Sequence, residues 1–235
     1  MSKNYSQIIR AIDKNCKSNS VSYPLLDKNE DINDASAHVW GIIFKSSGKW
    51  QFDDGNHEDY PFITSDLNEN QRDYPFTTDE AGNLILDVYK VMVKNPAGIY
   101  QEIYPIDQQS DEFTQGFWSG LNQKGTPSRY DKTANAIMLD ALPAYSSEDG
   151  VKMFINREGV YFDVDATTEM PGFCGLYHEY LALRPSYYYA MREGLDNKND
   201  LFNQMTRMEQ DIAQYYRDRS KDEIPVIVPE TVCSI

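Results

Sequence analysis

Cys174 and His178 stand four residues apart, and His178-Glu179 opens like the HExxH of zinc proteases. Position 182 is Ala182, so the second histidine of that motif is missing. A zinc site needs about two further ligands, and a thiol nucleophile needs a base and an oxyanion hole. The remaining Cys and His residues are scattered, so the pair reads as packing or ordinary hydrogen bonding. Asp53-Asp54-Gly55-Asn56-His57-Glu58-Asp59 is the densest run of oxygen donors. It lacks the alternating ligand spacing of a calcium loop and its terminal Glu, and reads as a solvated turn. No pair among the 37 acids is singled out for glycoside hydrolysis. There is no GxxxxGK[ST], no GxGxxG after a strand and no GxSxG. The expectation is a protein that is not an enzyme and takes no cofactor or metal.

The elements around these residues follow from periodicity. Tyr5, Ile8, Ile9, Ile12 and Cys16 mark one face of a helix, with Ser2 as its N-cap. Ile32, Ala35, Val39 and Ile42, widened by Ile43, predict a second helix over about Asp27 to Ser46, closed by Gly48. The pattern then turns β-rich in YPFITSDL, QRDYPF, NLILDVYKVMVK and GIYQEIYPI. Asn95-Pro96-Ala97-Gly98 predicts a hairpin turn, with Pro96 fixing φ and Gly98 taking a positive φ. Leu84 to Val93 is apolar on both faces and predicts a central strand. Ala136–Leu139 and Val151–Ile155 predict two more strands. Helix returns near Gly175, with Leu176, Tyr180 and Leu183 on one face and a kink or break at Pro185. Leu201, Met205, Met208, Ile212 and Tyr215 step by 4, 3, 4, 3, a two-helix seam capped by Asn199 or Asp200.

These stripes predict an α+β fold. N- and C-terminal helices form a helical bundle, an antiparallel β domain is inserted between them, and an extended C-terminal arm follows. The boundaries are 1–48, 49–172, 173–222 and 223–235.

Composition narrows the class of function. The chain has 235 residues, 40% of them hydrophobic and 13% aromatic, which suits a packed core. No apolar run is long enough to span a membrane and the first twenty residues lack a secretory core, which predicts no membrane partner and a cytoplasmic site of synthesis. The net charge of −15 opposes binding to phosphate backbones. The acid is concentrated between Asp27 and Glu80. Three cysteines, widely spaced, predict reduced thiols. Seventeen tyrosines suit either sheet packing or a recognition surface. Trp40, Trp50 and Trp118 read as core or edge anchors.

The stretches KSSGKWQFDDGNHEDYPFITSDLNENQRDYPF, YPID, GTPSRYDKTANAIMLDALPAYSSEDGVKMFINREGVYF and PGFCGLYHEYLALRPSYYYA resemble structural proteins encoded beside the portal in tailed bacteriophages. The shared features are Gly-Lys-Trp-x-Phe after a helix, a Pro-x-Arg-Tyr-Asp strand, a Leu-x-x-x-Pro-x-Tyr loop and Pro-Gly-Phe before a helix. The likeness runs over nearly the whole chain and is nearest to the head–tail adaptors, the upper tail-tube proteins. It implies a homo-oligomeric ring of twelve copies at the head–tail junction of the virion, assembled in the host cytoplasm. The ring docks on the portal protein, contacts the next tail component and lines a channel through which DNA passes without specific binding. It implies no catalytic residues. On this reading Ile224, Pro225, Val226, Ile227, Val228 and Pro229 form an arm contacting the portal or a neighbour. Tyr60, Tyr74, Asn95, Pro96, Gly98 and Tyr100 form the tail-side surface. The alternative is a virion receptor- or glycan-binding protein that uses exposed aromatics of the β domain.

Overall fold

The computed structural model describes residues 2–47, 62–79, 82–106, 123–165 and 167–219. Trp50, Tyr60, Trp118, the Asp53–Asp59 loop and the arm from Ile224 to Pro229 lie outside them. The chain divides into two compact units, residues 1–52 with 162–235, and residues 53–161.

The first unit is helical. Among the described residues its α-helices are α1 (Tyr5–Cys16), α2 (Leu25–Ser47), α3 (Tyr180–Glu193) and α4 (Lys198–Arg219). Helix α1 is started by Asn4 rather than by the expected Ser2. The Asn4 side chain accepts from the Gln7 backbone N–H at 3.0 Å, and the Gln7 side chain accepts from the Asn4 N–H at 3.1 Å. This reciprocal pair satisfies two donors that a helix start leaves open. Helix α3 packs on α1, α2 and α4, and α2 packs on α4. Their stripes meet in one core that includes Ile8, Ile12, Val39, Ile43, Tyr180, Leu201 and Ile212. Burying each such side chain contributes about 1.5–3 kcal/mol.

Three further local expectations in this unit need correction. Pro185 lies inside α3 without ending it, because its missing N–H removes a single bond while Tyr180, Leu183, Ser186 and Tyr189 on either side are buried. Leu176 occupies a short 3-10 turn and is exposed, so it shares no face with Tyr180 and Leu183. Helix α4 begins at Lys198, ahead of the Asn199 or Asp200 proposed as its cap.

The second unit is a seven-stranded sheet. Its strands are β1 (Phe62–Leu67), β2 (Asp73–Pro75), β3 (Ile85–Lys94), β4 (Tyr100–Pro105), β6 (Arg129–Lys132), β7 (Ala136–Leu139) and β9 (Ser147–Arg157), with β5 (Lys124–Gly125) and β8 (Leu142–Pro143) pairing separately. The order is β1-β9-β3-β4-β6-β7-β2. Val88, Val91, Ile103, Tyr130, Ile137, Val151, Met153 and Ile155 gather from five of these strands into a core of the unit's own.

This overturns the expected fold class, a helical bundle with an inserted antiparallel β domain. The sheet is mixed and curls almost into a closed barrel, so the molecule pairs four helices with a β unit that stands on its own core. The parallel contact is β4 on β6, Tyr104 opposite Arg129 and Pro105 opposite Tyr130. Hairpin signals in a sequence report only strands joined by tight turns. The stretch between β4 and β6 is long enough for the crossover that parallel strands need. Curvature comes from register breaks in β1 against β9 and in β3 against β9. Gly150 sits where any Cβ would collide with Leu67, so the glycine lets β1 close on β9.

Candidate docking surfaces

The hairpin between β3 and β4 forms as its sequence predicts. The Gly98 N–H donates to the Asn95 carbonyl at 2.8 Å, and Gly98 has φ +78°. The Asn95 side-chain oxygen also accepts from the Ala97 and Ile99 N–H groups, each at 3.0 Å. Pro96, Gly98 and Ile99 project, with Ile99 62% exposed. The tip is anchored to β9. The Tyr100 hydroxyl donates to the Asp149 carbonyl at 2.6 Å, and Lys94 Nζ donates to that of Glu148 at 2.8 Å. Such anchoring lowers the entropy a tip must lose on docking.

Tyr74, expected on this surface, is fully buried. Its hydroxyl receives the Asn68 N–H at 3.1 Å and donates to the Gln71 carbonyl at 3.2 Å, pinning the turn between β1 and β2. Alternation within so short a strand left its inward direction unreadable. The outer sheet face carries Phe62, Tyr100 and Phe154 instead. The Lys152 ammonium lies 3.6 Å from the centre of the Phe62 ring, 5.5 Å from Phe154 and 5.7 Å from Tyr100. These rings are therefore covered by cations on the solvent side.

The helical unit has an exposed aromatic group that the sequence reading did not single out. Tyr187 stands 5.4 Å from both Tyr188 and Phe202. Tyr188, Met191 and Phe202 are each about half exposed, and the Arg184 guanidinium lies 5.1 Å from the Tyr188 ring. Three consecutive tyrosines, Tyr187, Tyr188 and Tyr189, stand here, and which of them faces out depends on the turn of α3. Tyr189 turns inward and stacks on Tyr23.

Beside this group, one carboxylate oxygen of Glu209 gathers three side chains. Tyr180 donates to it at 2.6 Å, His38 Nε2 stands 3.2 Å away and Arg184 3.7 Å. Burial, then the negative charge and hydrogen bond of Glu209, push the Tyr180 phenol well above its ordinary range. The cluster ties α2, α3 and α4 together, so these groups are engaged by the fold itself. Next to it, α2 and α4 flank an open cleft of about 380 Å³ that includes His38, Ile42, Lys45, Glu209, Ala213 and Arg217.

His178 is a buried structural residue. Its Nε2 lies 2.9 Å from the Phe173 carbonyl, and its Nδ1 lies 3.1 Å from the Lys3 N–H. Nδ1 also lies 2.9 Å from the Lys3 carbonyl, so the ring fastens the N-terminal segment to the turn before α3 through both its nitrogens. Cys174 lends its backbone N–H to the Tyr216 hydroxyl at 3.0 Å. Among the described residues no three His, Cys, Asp or Glu side chains are grouped to hold a metal, and no helix is long and apolar enough to cross a membrane.

The two described histidines carry a pH prediction. Desolvation lowers both His38 and His178 below the ordinary 6.5; Arg184 adds to the effect at His38. A histidine whose folded pKa is depressed binds its proton more readily unfolded, so stability is present above pH 6.5 and is lost as pH falls through the folded values. Melting temperature should fall between about pH 7 and pH 5, and His38→Gln should flatten that slope. A melting temperature that rises on acidification over this interval contradicts the assignment.

The chain matches no protein-family model and no curated protein.

Proposed function

We propose that this chain is a structural virion protein of a tailed bacteriophage, a head–tail adaptor that forms a ring on the portal and receives the next tail component. The observation that carries the reading is an exposed apolar surface on each of its two units. One is the hairpin tip, with Pro96 and Ile99; the other is Tyr188, Met191 and Phe202 on the helices. Contiguous exposed apolar groups of this kind mark contact sites for other chains. A protein that joins two neighbours needs two such sites. The resemblance of the PGFCGLYHEYLALRPSYYYA and GTPSRYDKTANAIMLDALPAYSSEDGVKMFINREGVYF stretches to portal-adjacent proteins supports the same role. The net charge of −15 suits a wall along which DNA slides without adhering.

The adaptor reading is favoured over receptor or glycan binding by Lys152. Its ammonium occupies the Phe62 ring face that a sugar would need for stacking.

Mixing the purified chain with the portal protein and averaging particle images tests the proposal. Closed rings of one copy number, twelve if the resemblance holds, are the expected result; a heterologous interface closes at the rotation its geometry sets. A chain that stays monomeric with the portal, and is absent from the head–tail junction of virions, rejects it. Removing the tip residues 95–98 should leave the fold intact and block tail joining. Normal infectious particles from that deletion would remove the tip from the interface.

A further inference from the structure

The cleft between α2 and α4 has a direction. His38 meets Glu209 at one end, and the walls continue to Lys45 on α2 and Arg217 on α4, so both helices run the same way along it. From Thr206 to Arg217 the α4 wall is about 16 Å long at 1.5 Å per residue. Its floor is apolar at Ile42 and Ala213, and its far end is basic at Lys45 and Arg217 in a chain of net charge −15.

Helix α4 spans Lys198–Arg219, and Arg219 stands two residues beyond that basic end. The sequence continues from there as SKDEIPVIVPETVCSI. Asp222 and Glu223 come first, at the distance from Arg219 that a reversing turn takes up. Ile224 to Val228 follow, and five extended residues span about 16 Å, the length of the cleft. Pro225 and Pro229 lack the N–H that a groove without backbone acceptors would leave unsatisfied, and both disfavour helix.

We propose that in the free chain residues 220–235 turn back after Arg219 and lie along the α2–α4 cleft. Asp222 and Glu223 face Lys45 and Arg217, and Ile224–Val228 cover Ile42 and Ala213. The segment is its own chain's occupant, held until a competing surface draws it out. That last step rests on the virion role; the fold-back does not.

Amide hydrogen exchange on the full-length chain at low concentration tests it. Ile227→Asp should speed exchange in residues 38–46 and 206–217 about tenfold while α1 and the start of α3 keep their protection. Lys45→Glu should have the same effect, and adding Glu223→Lys to it should restore slow exchange. Identical exchange in the parent and Ile227→Asp chains overturns the proposal. So does protection that grows with protein concentration, which assigns the cleft to the segment of a second copy. If Ile227→Asp loosens α1 as well, the charge exchange between positions 45 and 223 decides alone, and its failure to restore protection rejects the fold-back. Either result leaves ring formation on the portal to be judged separately.

Discussion

Ile212→Ala should cost the helical unit about 2–5 kcal/mol, read as a lower denaturant midpoint with an unchanged slope. Ile212 is fully buried on α4, in the core shared with Val39 and Ile43 of α2 and Tyr180 of α3. Truncation removes its transfer energy and leaves a cavity that three packed helices cannot easily close. Against a total stability of about 5–15 kcal/mol, that loss leaves a marginal domain. Met208→Ala is the control. Met208 is only half-buried, and its loss should cost about 1 kcal/mol. Equal effects at the two positions would show that α4 packs through a different face.

Asp79→Ala should destabilise the β unit by about 3–5 kcal/mol, the range for breaking a buried pair from one side. Arg157, at the end of β9, is 2% exposed and its guanidinium lies 3.5 Å from the Asp79 carboxylate. Asp79 also accepts from the Asn83 N–H at 2.7 Å and from the Asn83 side chain at 2.9 Å, so it shapes the turn leading into β3. Removing it strips the buried cation of that carboxylate and opens the turn together. Asp79→Asn should retain part of the turn and recover part of the loss. A thermal melt of Asp79→Ala indistinguishable from the parent would refute this account of the pair.

Helix α4 shows how far periodicity carries and where it stops. The seam of Leu201, Met205, Met208, Ile212 and Tyr215 was legible as helix, and Leu201, Met205 and Ile212 do enter the core. The buried stripe then continues to Tyr216, with Tyr215 and Met208 only half-buried. A straight helix drifts about 20° per heptad from a 3.5-residue repeat, and α4 packs against two helices rather than one. The hairpin at Asn95–Gly98 was legible because its chemistry is local. The parallel β4–β6 contact, the Asp79–Arg157 pair and the convergence of Tyr180, His38 and Glu209 were not, because each joins residues distant along the chain. Of the residues expected on a tail-side surface, Asn95, Pro96, Gly98 and Tyr100 share one tip, while Tyr74 is drawn inward to hold a turn.

The helical unit is closed by two segments that the β unit separates. Helices α1 and α2 end at Ser47, while α3 begins only at Tyr180. At about 5–20 residues per second, synthesis of the intervening chain takes roughly 7–26 s. Throughout that interval the faces carrying Ile8, Ile12, Val39 and Ile43 have no α3 or α4 to cover them. The sheet, completed when β9 emerges, can fold first and alone. Translation therefore exposes a sticky amino-terminal intermediate of defined lifetime, and yield in the cell should depend on holdase chaperones and on elongation speed more than the finished molecule's stability would suggest.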